Sequence, residues 1–238
     1  MTNLMTDSVI FSKTIVFLLL VLFAYLLGSI PTGYLAGRWI KGIDLRSYGS
    51  GTVSGSMVWE HVAKWAVFPV GIFDILKGAF PTWLSLQLGM GERLAVFVGL
   101  AAVIGHNWPL YLHFHGGRGL SPFIGALLNF FPWGVFILLI GLGLGNLFSS
   151  PAIPLLVLIL LPASAAMFGV NPFVGFWLSV GMVIITIVKR LEANRRPLPD
   201  DPQERRKVIL RRIFLDRDLK DHKAWISRTP QNQDDYVK

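Results

Sequence analysis

The run TIVFLLLVLFAYLLGSI, residues 14–30, carries no charged side chain and approaches the roughly 20 apolar residues that a helix needs to cross a bilayer. Backbone N–H and C=O groups in such a stretch find no water in lipid. A helix, which satisfies them internally, is therefore the form open to it. The run extends over about 14–38, and further apolar segments follow at about 62–88, 92–112, 120–130, 132–147, 151–168 and 172–190. They leave 53% of the chain hydrophobic and 15% charged, against about a quarter charged in a soluble domain. The fold class this implies is all-α: a polytopic transmembrane bundle of about seven spans with a basic C-terminal tail. The first run is not read as a cleaved secretory signal, because no small-residue cleavage pattern closes it before PTGYLAGRWIKG.

Orientation follows from the excess of Lys and Arg that marks cytoplasmic loops. Lys41 and Arg46, flanked by Arg38 and Lys64, mark the loop after the first span; Arg118 marks a second; the tail is plainly basic. All three are expected on the cytoplasmic side, which puts the amino terminus outside. Between residue 119 and the tail the chain must then cross an even number of times. Dividing 120–147 at NFFPWG meets that condition, although eleven residues rise only about 17 Å as helix, so segment 120–130 is expected to be short, broken or re-entrant. Pro and Gly in VFPVGIFDILKGAFP predict kinks.

The chain thus divides into a membrane domain, residues 1–190, and a tail, 191–238. From Lys189 onward 14 Lys and Arg face 9 Asp and Glu. After so many spans, anionic headgroups are a better partner for that charge than nucleic acid. Residues 202–226 mix Val208, Ile209, Ile213 and Phe214 with basic side chains, which fits an amphipathic helix on the inner leaflet. Asp216, Asp218 and Asp221 leave docking to a partner enzyme as an equal reading, and a homo-oligomer also stands open. The final TPQNQDDYVK is expected to be disordered.

Four polar clusters fall at the cytoplasmic ends. In DLRSYGSGTVSGS, residues 44–56, Gly49, Ser50, Gly51, Ser54 and Gly55 let the backbone turn its N–H groups inward as an anion nest, or else form a flexible connector. Asp74 and Lys77 in DILKG stand three apart on one helix face, suited either to a cavity or to a structural ion pair. His106 lies in an apolar helix, where a lone histidine commonly bonds a neighbour. His113, His115, Gly116, Gly117, Arg118 and Gly119 form a loop whose glycine amides and guanidinium suit a phosphate. A metal at His113 and His115 is disfavoured, since no carboxylate or third histidine stands at useful spacing. Without cysteine, thioacyl intermediates are excluded.

In order and spacing, GSIPTGYLAG, DLRSYGSG, DILKGAFP and GHNWPLYLHFHGGRG resemble the bacterial acyl-phosphate:glycerol-3-phosphate acyltransferase family (the PlsY type) over residues 24 to 125. The resemblance implies a seven-helix enzyme of the bacterial cytoplasmic membrane, working in phospholipid synthesis. It would move a fatty acyl group from acyl phosphate to glycerol 3-phosphate, giving lysophosphatidic acid and using no cofactor. It carries catalytic roles to Ser50, His106 and Arg118, the last where the family usually has lysine. Substrate binding is carried to Gly49, Gly51, Lys77, Gly116, Gly117 and Gly119, with the general base open between His106 and a substrate phosphate. The His-x-x-x-x-Asp motif of the other large acyltransferase class is absent, since no histidine here has Asp five residues on.

The first loop departs from the family pattern. Thr52 and Met57 replace asparagines, and Glu60, read as a specificity residue, stands where the family has a phosphate-binding arginine. Near the last span Arg190 and Leu191 are retained, but Ile184 and Ile187 occupy polar positions. Three readings follow: the family's reaction; transfer to another polar acceptor that Glu60 would favour; or a non-catalytic paralogue that binds lipid or a partner.

Overall fold

The computed structural model describes residues 2–230, all helix and connecting turns. α1 (Thr2–Gly28) carries the first apolar run and stops before Pro31. Proline has no N–H to continue the ladder and disfavours helical backbone at the residue before it. The expected apolar segment 14–38 falls within one candidate span, Ile10–Lys41, but its helix is not continuous: it breaks at Ser29–Pro31, resumes as α2 (Thr32–Ala36) and passes into a wider π-type turn over Gly37–Lys41. α3 (Gly55–His61) follows the first polar loop. The bundle then continues through α4 (Val67–Gln87), α5 (Glu92–Asn107), α6 (Leu120–Leu128), α7 (Pro132–Leu147), α8 (Ala152–Met167) and α9 (Pro172–Glu192). α10 (Pro202–Leu215) and α11 (His222–Ile226) form the tail. The disorder expected at the C-terminus falls mostly on residues 231–238, outside the described residues.

Among the described residues, four stretches are long and apolar enough to cross a membrane: Ile10–Lys41, Lys64–Gln87, Glu92–Leu112 and Pro172–Glu192. α7 and α8 are apolar but only 16 residues each, and α6 has nine. The chain is a polytopic helical membrane protein. Its outward faces carry Phe11, Leu18, Phe68, Phe136 and Ile140, all exposed, a surface that only lipid would leave stable.

Helices in lipid gain little from hiding apolar side chains, so they associate where small residues let backbones meet. A Cβ at Gly78 of α4 would overlap the carbonyl of Pro122, and one at Gly125 of α6 the carbonyl of Ile75. Gly28 and Gly105 bring α1 and α5 together in the same way, against the carbonyls of Ala102 and Tyr25. Phe123, Leu127, Leu138, Leu161, Leu178 and Met182 fill the centre between α6, α7, α8 and α9. α6 starts at the second polar loop and ends at Asn129, whose side chain donates to the carbonyl of Ala79 at 3.2 Å. α7 leads back to Pro151, whose carbonyl accepts from Arg190 at 2.9 Å. The short segment anticipated at 120–130 is therefore real, and α7 returns the chain to the end from which it left.

Candidate active site

Both glycine-rich loops and the tail converge at that end. The first loop begins at Asp44, which caps a single 3-10 turn (Leu45–Ser47) by accepting the Arg46 N–H at 3.0 Å. The Arg46 guanidinium also donates to both carboxylate oxygens and holds this carboxyl below its ordinary range. Beyond the turn, Gly51 adopts φ of 73°, a left-handed conformation that costs glycine nothing. The hydroxyls of Ser50, Thr52, Ser54 and Ser56 form a chain with steps of 2.7, 2.9 and 3.0 Å.

The N–H groups of this loop do not form the inward nest that the sequence suggested. Gly49 donates to the carbonyl of Arg228, Gly51 to that of Tyr48, and Ser50 to the thioether of Met57. The reason is local: Met57 is fully buried beneath the loop and its sulfur sits where a Gly49 side chain would be. Donors facing the cavity are instead guanidinium groups.

The second loop is seated on the end of α5. Gly117 donates to the carbonyl of His106 at 3.1 Å, and any Cβ on Gly116 or Gly117 would collide with the backbone or ring of that histidine. His113 and Phe114 carry φ of 51° and 67°, a rare pairing for residues with side chains and a sign that the loop shape is held from outside. Gly119 (φ 75°) turns the chain into α6.

Asn194 joins the loops. This buried side chain, just beyond α9, donates to the carbonyl of Gly51 at 2.6 Å and more weakly to that of Gly116 at 3.5 Å. Next to it, Arg196 donates to the Gly49 carbonyl at 2.6 Å. Ser50 and Arg118 therefore line one small cavity, together with Arg190, Arg196, Arg212, Asp216 and Asp218. Arg118 lies 3.0 Å from Asp216 Oδ1, an oblique ion pair, and its other contacts are long bonds to the carbonyls of Lys189 and Asp216 at 3.4 Å. Burial among other cations pushes the Arg196 and Arg212 guanidinium groups down from their ordinary value.

The remaining sequence candidates lie elsewhere. Lys77 is sealed in the bundle, 2.7 Å from Asp74, and donates at 3.0 Å to the Ile30 carbonyl at the break after α1, which also accepts the Thr32 N–H. Thr32 donates to the same Asp74 oxygen at 2.6 Å, and His106 Nδ1 stands 3.7 Å from it. This unit backs the second loop without lining the cavity. Glu60, the expected specificity residue, is exposed near the end of α3 and lies outside the lining. Ile184 borders a separate apolar groove of about 620 Å³, with Phe17, Leu18, Phe97 and Ile104.

Sequence reading missed Asn194, Arg196 and the whole part played by the tail. α10 packs against the end of α9 and the segment after it. Its Arg212 is buried and donates to the carbonyls of Leu191, Arg196 and Pro197, and Asp216 closes the helix in a left-handed turn (φ 54°). The alternation of Arg and Asp in RRIFLDRDLKD was the available signal: charges of both signs at this density point to ion pairs.

A sequence profile of the family Glycerol-3-phosphate acyltransferase matches residues 18–198. "Glycerol-3-phosphate acyltransferase 5" of Dehalococcoides mccartyi is 36% identical over 228 residues, covering 90% of this chain and 94% of that protein. Among solved structures, PlsY (YgiH), an integral membrane glycerol 3-phosphate acyltransferase, in its glycerol 3-phosphate form, superposes with a TM-score of 0.65. That match has 30% identity and covers 76% of this chain and 90% of that one. Its lysophosphatidic acid form gives 0.61 at 28% identity over the same shares. α10 and α11 lie beyond the residues that the family profile matches.

Proposed function

The chain belongs to the glycerol-3-phosphate acyltransferase family, and on that premise we propose that it transfers a fatty acyl group from acyl phosphate to the 1-hydroxyl of glycerol 3-phosphate. The hydroxyl oxygen forms a bond to the acyl carbon, the bond from that carbon to the phosphate oxygen breaks, and phosphate leaves with lysophosphatidic acid as the second product. The observation that carries the reading is the single cation-rich cavity that Ser50 and Arg118 share, bound together by Asn194.

Acyl phosphate is already activated, so holding two phosphates and an oxyanion in place supplies most of what is needed. We assign that task to Arg118 and the Ser50 hydroxyl, with the carbonyl-braced loops of Gly49–Gly51 and Gly116–Gly119 fixing both. His106 we assign to positioning, through Gly117, because it lies behind the loop; Lys77 holds α4 to the break after α1. The hydroxyl proton then passes to a substrate phosphate, the acceptor for it that the cavity would itself contain. The acyl chain stays in lipid, where the groove beside Ile104 offers an apolar wall.

Seven traverses follow if α6 counts as a short one and α7 as its return, with the amino terminus outside and the site facing the cytoplasm of the bacterial plasma membrane. The support is charge: Arg38, Lys41, Arg46, Arg118 and the tail gather at one end.

The test is phosphate release by the purified chain from acyl phosphate and glycerol 3-phosphate. Turnover that needs both substrates is expected, with Ser50→Ala and Arg118→Ala each lowering kcat/KM by roughly 10²–10³. Release without an acceptor requirement, or none at all, would refute the reaction. Turnover with another polyol but not with glycerol 3-phosphate would establish a different acceptor.

A further inference from the structure

Asp216 and Asp218, two residues apart on the tail, each meet an arginine outside the segment 216–228, and Asp218 also pairs with Arg228 within it. Asp216 lies between Arg118 at 3.0 Å and Arg190 at 3.7 Å. Asp218 lies between Arg228 at 3.0 Å and Arg196 at 3.8 Å. We infer that Arg118 with Arg190 forms one oxyanion seat for a phosphate group and Arg196 the other, and that the two carboxylates are their internal occupants, so the tail segment 216–228, which carries Arg228 with it, must lift before substrate can enter. The inference rests on the reaction proposed above, which brings two phosphoryl groups to one site.

Three observations support it. First, the charges do not balance: Arg118, Arg190, Arg196 and Arg212 line the cavity and lie outside the segment 216–228, against Asp216 and Asp218 from it, leaving a surplus of cation that a dianion would meet and a carboxylate only half meets. Arg212 Nε, deep in this cluster, has no hydrogen-bond partner among the described residues. Second, the space is wrong for a ligand with the tail docked. About 10 Å³ remains free, barely enough for one water, so glycerol 3-phosphate cannot share the cavity with both carboxylates. Third, the contacts at Asp216 are poor for a permanent structural pair. Its Oδ1 makes no aligned hydrogen bond despite the 3.0 Å approach, and its side chain and that of Arg118 remain about one-fifth exposed, at 22% and 18%. The tail also covers the first loop, since the Arg228 carbonyl takes the N–H of Gly49 at 2.9 Å. Lifting the segment would therefore release a glycine amide together with the guanidinium groups.

Arg196 gains a specific role in this arrangement. Position 60 offers no cation, and Glu60 points outside the lining; Arg196, held against the Gly49 carbonyl, supplies the charge beside Ser50 instead.

The probe is inorganic phosphate, titrated calorimetrically into the full-length chain in detergent without any acyl donor. A strap docked about nine-tenths of the time weakens apparent affinity about tenfold. Asp216→Asn and Asp218→Asn are each expected to recover several-fold, and the double variant about tenfold. Arg196→Ala added to Asp218→Asn is expected to remove that gain. Unchanged affinity in variants that keep the wild-type unfolding temperature overturns the inference. Should the variants not fold, hydrogen exchange on the wild-type chain decides: exchange at 216–228 must rise with phosphate but not with chloride at equal ionic strength, and no rise overturns it. Turnover plays no part in either readout. Phosphate binding of this kind with no acyl transfer would leave the seats standing and refute the reaction instead.

Discussion

Two ionic clusters in this molecule are built from similar side chains and behave in opposite ways. At Asp74, one carboxylate meets one lysine, both side chains are at most 4% exposed, and a threonine hydroxyl and a backbone carbonyl complete the bonding. At Asp216 and Asp218, two carboxylates meet a larger number of guanidinium groups around a cavity, and the pairs that reach Arg118, Arg190 and Arg196 are long or oblique, although Asp218 is well bonded to Arg228. The first cluster is neutral, closed and finished. The second has charge to spare. Burial alone does not distinguish a structural ion pair from a binding site; stoichiometry and completeness of hydrogen bonding do.

Breaking the closed cluster is expected to have the largest effect. Lys77→Met leaves Asp74 buried without its cation, at a cost of about 3–5 kcal/mol, measured as a lowered unfolding temperature in detergent. Adding Asp74→Leu removes the orphaned charge and is expected to return much of that loss. If Lys77→Met unfolds like the wild type but loses substrate affinity, the lysine belongs with the open cluster instead.

The bridge between loops comes next. Asn194→Ala removes the donor to the Gly51 and Gly116 carbonyls, which is expected to cost about 1–2 kcal/mol and to raise KM for glycerol 3-phosphate more than it lowers kcat. Equal falls in both parameters would show that Asn194 acts on the chemistry rather than on the site's assembly.

Smaller still is the effect of Asp44. Arg46 holds its folded carboxyl below the ordinary value, so its contribution is fully present above about pH 4 and is lost as pH falls through the depressed folded value. The side chain is about a quarter exposed, so no more than about 1 kcal/mol is expected, seen as a shallower acid limb of the stability profile in Asp44→Asn. Glu60→Arg should do least. An exposed charge outside the cavity is expected to change KM by under about twofold, and a large gain would place position 60 back at the site.

How much of this could be read from the sequence follows the same division. The span centres and the short 120–130 segment came from apolar runs, because lipid enforces helices without regard to tertiary detail. Ser50 and Arg118 could be picked out by chemistry and by family resemblance. The break at Gly28 was hidden by continuous hydrophobicity across Pro31, where a local backbone rule overrides the pattern. Two further outcomes depended on contacts between distant residues. Met57 and the Arg228 carbonyl take the first loop's N–H groups, and Arg196 serves a loop almost 150 positions earlier; no local periodicity records either. The tail was read as a helix on the inner leaflet or docked to a partner enzyme, while the partners its charges meet include Arg118, Arg190 and Arg196 of this same chain.

The most direct measurement is a structure of the full-length chain with glycerol 3-phosphate bound. The account predicts the phosphate hydrogen-bonded to Arg118 or Arg196 within reach of the Ser50 hydroxyl, with the Asp216 or Asp218 carboxylate displaced from that arginine. A phosphate bound at a different end of the bundle, with both carboxylates still on their arginines, would contradict it.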